Sequence, residues 1–256
     1  MTVVKRELSL VVSSDRFDLG KKVPVDYVVW QETPHKEPWR TKLGGVPWRP
    51  RDRPWPFSSS GDRHTFVLQV DISDSLDVLP KALLDARPKG HDVLLIFMSN
   101  EEAWADSDDA TYMEWSPHEI ENPCRSEDVP KTTFTVRPRA GLLFRGYEYP
   151  EERENDIASD ELEAMPWYST THSTHLGRVA SWIQGDERDP GTEVYLTLGS
   201  FSPPNLWPYP DVQELEKNAN QFANVFGRDR FMFGDGGAGY FMVSPSGKTT
   251  KYFTCY

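Results

Sequence analysis

His172 and His175 stand three residues apart, the spacing at which two imidazoles on one helical turn could share a metal ion, with Glu161 or Glu163 upstream to complete a set. No HExxH motif and no third ligand at a recognised spacing accompanies them, so neither a metal nor a cofactor is expected. The stretch Gly234-Asp235-Gly236-Gly237-Ala238-Gly239 carries the GxGxxG spacing. That pattern holds phosphate when a helix opens at its third glycine and turns its N–H groups to the anion. Here Tyr240-Phe241-Met242-Val243 follows and reads as a strand. A tight turn is expected instead, leaving backbone at Asp235, Gly236 and Gly237 open to a ligand. Cys124 lies beside Arg125, which could activate its thiol. Ser58-Ser59-Ser60-Gly61 reads as a loop and not as a nucleophile elbow.

Binding chemistry is concentrated elsewhere. Leu43-Gly44-Gly45-Val46-Pro47 pairs two glycines with a proline, so its backbone is shaped and not periodic. Trp48 and Trp55 follow among Arg49, Arg51 and Arg53. Indoles and guanidinium groups make interface hot spots, and prolines reduce the entropy lost on contact. The same tryptophans could equally plug the face of a sheet. Both readings stand at this point.

The elements around this segment occur twice. Lys42 to Pro47, the alternating run Phe66 to Ile72 and the strand Val93 to Ser99 have weaker copies, in the same order, at His175 to Arg178, Val194 to Ser200 and Gly239 to Ser244. Repeats are expected over 42–99 and 175–244, in one domain over 1–256, with an acidic insertion over 101–165. Strands are expected at 3–12, 23–30, 112–115, 132–136, 142–144 and 249–254. Short helices are expected after an Asp77 cap and at 212–226, where Asp211 and Glu214 form a capping box. The class is therefore α+β: strand-rich, mostly antiparallel sheets from two pseudo-symmetric repeats, with a few peripheral helices. Two halves folded against each other would leave a concave face.

Composition narrows the role. The chain has 256 residues, 38% of them hydrophobic and nine of them Trp, which is enough for one large folded domain. No apolar run is long enough for a membrane span, and the N-terminus carries charges inside its apolar stretch, so a cytoplasmic protein is expected. Two distant cysteines fit a reducing compartment. A net charge of -12, from 40 acidic and 28 basic residues, disfavours nucleic acid and anionic membranes and favours a basic partner.

Lys42-Leu43-Gly44-Gly45-Val46-Pro47, Trp55-Pro56, the Phe66 to Val70 strand and Phe233 to Phe241 near Cys255 together resemble the bacterial YwqG-like family of unknown function. That family is similar to the eukaryotic programmed-cell-death-type proteins, dedicated chaperones of a nascent ribosomal protein. The resemblance runs from about residue 42 to the end. It implies a duplicated strand-rich fold and a role in binding protein or peptide, with no catalytic residue to carry over. Gln69 and Gln184 stand where the family has glutamine. The second copy departs from the pattern, since His175-Leu176-Gly177-Arg178 lacks the second glycine and the proline, and Thr197 stands where Gln69 does in the first.

The expectation is a non-enzymatic module that sequesters or chaperones a basic protein, as chaperone or immunity protein. Its binding residues would be Gly44, Gly45, Pro47, Trp48, Trp55, Gln69, His175, Gln184, Asp235, Gly236 and Gly237. The competing reading is a metal-dependent hydrolase using His172, His175 and nearby carboxylates.

Overall fold

The computed structural model describes residues 6–7, 23–31, 33–99, 111–132, 134–148, 174–180, 182, 188–200 and 237–254. Among them eleven strands form one sheet: β1 (Arg6–Glu7), β2 (Val23–Gln31), β3 (Lys42–Leu43), β4 (Thr65–Asp71), β5 (Val93–Met98), β6 (Thr111–Ser116), β7 (Arg139–Glu148), β8 (His175–Leu176), β9 (Glu193–Gly199), β10 (Ala238–Val243) and β11 (Thr249–Thr254). The spatial order is β11-β10-β9-β8-β2-β7-β3-β4-β5-β6, every neighbour antiparallel, and β1 adds a short parallel pairing to β7.

This corrects the expected α+β class. The described residues hold one short α-helix, α1 (Lys81–Ala86), and a 3-10 turn at Ser126–Asp128. Asp77 does not cap α1, because Pro80 occupies the N-cap and the Asp77 carboxylate is bonded to Arg145 instead. The helix expected at 212–226 lies outside the described residues. Nor is 101–165 an insertion as a whole, since it supplies the edge strand β6 and the ten-residue central strand β7. Of Thr132 to Val136, read as a strand, the described residues, Thr132 and Phe134 to Val136, are loop.

The strands of 42–99 and of 175–244 keep the same register. Lys42 pairs with Gln69 and Leu43 with Leu68, while His175 pairs with Thr197 and Leu176 with Leu196. Each half has a bulge at the matching residue: pairing skips Val67 between Phe66 and Leu68, and skips Tyr195 between Val194 and Leu196. Gly44 N–H donates to Val67 O at 2.8 Å, and Gly177 N–H to Tyr195 O at 3.2 Å. Thr41 Oγ1 accepts from Asp71 N at 3.1 Å, and Thr174 Oγ1 from Gly199 N at 3.2 Å. The central strands complete the relation. Gly141 N–H reaches Thr41 O and Val28 N–H reaches Thr174 O, both at 2.8 Å, so the β2–β7 pair Val29 with Leu142 is its own counterpart. A local twofold therefore passes through the middle of the sheet.

The core explains why the strands read as they do. Leu68, Val70, Leu94 and Ile96 of one half, with Tyr195, Leu196, Leu198, Phe241 and Val243 of the other, form one buried cluster closed by Val28 and Trp30. Burying apolar area of this kind contributes about 25 cal/mol per Å². The face that the two halves turn to each other carries this cluster of the protein's own side chains.

Gly44 is needed where it stands. Its φ is +53°, and a Cβ there would lie 2.2 Å from the Val136 carbonyl oxygen. Gly44→Ala is expected to lose about 2–3 kcal/mol, combining left-handed strain with backbone overlap. Gly61, at φ +87° with open space around it, should lose only about 1 kcal/mol on the same change. Denaturant midpoints of the two variants check the contrast, and equal losses would contradict it.

Candidate binding site

The loop between β3 and β4 folds back as a flap over the outer face of β4, β5 and β6. There Trp39, Trp48 and Trp55 pack on Phe66, Val93, Leu95 and Phe97. Trp55 stands edge-on to Phe97 at 5.4 Å and donates its ring N–H to His64 O at 2.7 Å. The Trp48 ring N–H is bonded to the carbonyls of Pro117 and His118 at 3.0 and 3.2 Å. Both indoles are thus fixed from beneath, and Pro47 is buried with them. Outward, the flap and the β6 edge present Phe57, 55% exposed, and Tyr112, 42% exposed.

Gln69 is wholly enclosed. Its Oε1 accepts Trp48 N–H at 2.8 Å, and its Nε2 donates to Pro38 O at 2.9 Å and Arg40 O at 2.8 Å. The amide therefore ties the flap at Trp48 to the segment before β3, on both sides of Trp39. Gly45, at φ +75°, supplies the left-handed turn that leads the chain there.

Two charged clusters were not visible in the sequence. Arg49, 2% exposed, donates from Nε to Glu114 Oε1 at 2.6 Å and from Nη2 to Oε2 at 3.2 Å, with its guanidinium 5.4 Å over the Trp55 ring. Asp71 is buried, and its Oδ1 accepts from Ser73 N, Ser73 Oγ and, on the donor tautomer, His118 Nε2 at 3.1, 2.7 and 3.0 Å. Its Oδ2 accepts from Arg40 at 3.1 Å. The partners are separated by up to 65 residues, so no local spacing announces them.

The matching face of the second half places His175 opposite Thr197. His175 is buried, with Nε2 2.9 Å from Val179 O and its ring edge-on to Tyr27 at 5.8 Å. Trp182 packs on Tyr240 with its ring tilted, centroids 4.4 Å apart, and Arg188 lies 5.3 Å over its ring. It follows Leu176-Gly177 much as Trp48 follows Leu43-Gly44, a correspondence that one extra residue in the second copy obscures in the sequence. Gly237 is buried, and its carbonyl accepts Ser200 N and Oγ at 3.1 and 2.6 Å. Gly239 lies within β10, so no helix opens at the third glycine of GxGxxG. His172, Gln184, Asp235 and Gly236 lie outside the described residues. Among the described residues, no three His, Cys, Asp or Glu side chains come together as a metal set.

Cys124 is half-buried and its thiol is pushed up by burial and by Asp128, against Arg49 and Arg51, which is the reverse of activation. Lys42 differs. Burial pulls its amine down to about 8 against the opposing influence of Cys124, and Nζ donates to Pro38 O at 2.7 Å. The folded state binds this proton less tightly than the unfolded chain, so the burden on stability is full below about pH 8 and fades towards 10.5. Trace acetylation at pH 8 should therefore modify Lys42 ahead of the exposed Lys81 and Lys89, read by peptide mass spectrometry; equal rates would refute the shift.

No helix of the described residues is long and apolar enough to cross a membrane. A search of curated proteins finds no match. Residues 41–255 match the family described as Domain of unknown function (DUF1963). The matched span opens at Thr41, whose hydroxyl and carbonyl join β3 to β4 and β7, and it runs through the flap and on into β11. A match over that much of the sheet makes the chain a member of the DUF1963 family.

Proposed function

We propose that this protein is a non-enzymatic binding module of the YwqG-like type that sequesters or chaperones a basic protein in the cytoplasm. One observation carries the reading: the negative charge is segregated. Outside the two runs 101–109 and 151–163, Lys and Arg nearly balance Asp and Glu, whereas the chain as a whole carries -12. Much of the excess falls in two connections, 101–109 between β5 and β6 and 151–163 between β7 and β8. A charge that served only solubility has no reason to be gathered in this way. Two acidic connections on a neutral, twofold-related sheet give a basic chain two points of attraction, with Tyr112 beside the first as an aromatic contact. The likeness to nascent-protein chaperones agrees with this reading, and duplication of an ancestral half accounts for the shared register.

The test starts from the partner recovered with the full chain, then purified and titrated. Replacing the carboxylates of 151–163 by their amides should weaken binding at least about tenfold and flatten its salt dependence. A partner of neutral or acidic character, or binding indifferent to both salt and the amide variant, would end the proposal.

A further inference from the structure

The Tyr195 hydroxyl lies where the inner faces of the two halves meet, and among the described residues its hydrogen bond is to Met113 Sδ, 3.5 Å away on the edge strand of the other half. Tyr195 is 1% exposed, and burial pushes its phenol up, so it remains a donor at every ordinary pH. A thioether is a weak acceptor, and a buried O–H given only that partner is poorly satisfied. Met113 is only partly buried, whereas Met98 and Met242 are enclosed at 2% and 5% exposure. Beside it Lys251 Nζ reaches across the same seam to Thr111 O at 3.3 Å.

We propose that Met113 is a site of reversible oxidation by peroxide, and that its sulfoxide is received by the Tyr195 hydroxyl across the seam between the halves. The sulfur lone pair attacks one peroxide oxygen, the O–O bond breaks, an S–O bond forms and water leaves, so that thioether and hydrogen peroxide become sulfoxide and water. A dithiol reductase returns the thioether, its two thiols becoming a disulfide as the oxygen leaves in water. The sulfur and phenol are close enough for an oxygen added between them to accept at an ordinary O–H···O separation of about 2.7–2.8 Å after a small retreat of the side chains. One sulfoxide epimer places oxygen there and the other turns it away. Oxidation thus exchanges a weak acceptor for a strong one and fastens β6 of one half to β9 of the other.

The experiment treats the full chain with limiting hydrogen peroxide and follows each methionine by peptide mass spectrometry. Met113 should oxidise about tenfold faster than Met98 and Met242. One epimer should dominate, as read by the two epimer-specific sulfoxide reductases, and the denaturation midpoint should hold or rise. In Tyr195→Phe the epimer excess should vanish and oxidation should lower the midpoint. Oxidation of Met113 no faster than of the enclosed methionines, or an even epimer mixture in the unaltered chain, overturns the proposal without recourse to a variant. So does an equal fall in midpoint with and without the hydroxyl.

Discussion

Glu114→Ala is expected to lower the free energy of unfolding by about 3–5 kcal/mol, because it strands a guanidinium that has no route to water. Arg49 is 2% exposed and makes both of its carboxylate bonds to Glu114, and its further bond, to Pro54 O at 2.9 Å, does nothing for its charge. Arg53 also leans on Glu114, at 3.5 Å, so the carboxylate balances two cations. The pair roofs Phe97 and supports Trp55, which couples the charge to the fit of the flap. Replacing both partners, Arg49→Met with Glu114→Leu, should recover most of the loss, since a well-packed apolar pair commonly equals a buried ion pair. The loss should also survive high salt, because a buried pair is little screened. Denaturant titration of the two variants at low and high salt checks both statements. A loss below about 1 kcal/mol, or one that disappears in salt, would show that water reaches Arg49.

The parts of this fold that were legible in sequence are those written in periodicity. The alternation from Leu68 to Ile72, the apolar run from Val93 and the terminal run from Thr249 all became strands. Gly44 was recognisable because a glycine pair before a proline signals backbone that a Cβ would forbid, and its φ is left-handed. What local pattern does not encode is pairing across the chain. Arg139 to Glu148 reads as two fragments around Pro138 and the short run Leu142 to Phe144, because Gly141, Arg145 and Gly146 interrupt its apolar positions. In the fold those glycines are demanded by neighbours: a Cβ on Gly146 would lie 2.4 Å from the Tyr27 ring, and one on Gly141 2.7 Å from Val28. Arg145 is likewise a tie and not an interruption, held charged by its bonds to Asp77 and then Asp26. The flap shows the same limit. Trp48 and Trp55 announced that they required cover, but Gln69, Glu114 and the His118 carbonyl that hold them are contributed by distant strands and turns.

Gln69→Leu is expected to lose about 3 kcal/mol, whereas Thr197→Val at the matching position of the other half should be neutral or gain up to about 1 kcal/mol. The register makes these residues counterparts, each opposite the first residue of a two-residue strand, Lys42 or His175. Their bonding is opposite. Gln69 makes three hydrogen bonds to backbone, at 2.8 Å to Trp48 in the flap and at 2.9 and 2.8 Å to Pro38 and Arg40 before β3, and leucine would leave the Trp48 N–H and the Arg40 carbonyl without these partners under the indoles, while Pro38 O keeps Lys42 Nζ. Each such bond is worth about 1 kcal/mol net, and an unsatisfied buried group raises the figure. Thr197 Oγ1 is buried and has no partner among the described residues, so removing it relieves a desolvated hydroxyl. Hydrogen exchange adds a local reading: the Trp48 amide should lose protection in Gln69→Leu beyond what the global change explains, since its acceptor is gone. Equal losses at the two positions, or a Trp48 amide that stays protected, would mean that the flap is held by its aromatic packing alone. If the contrast is found, the two halves share a backbone plan, and the first is locked by a side-chain amide at the position where the second carries Thr197.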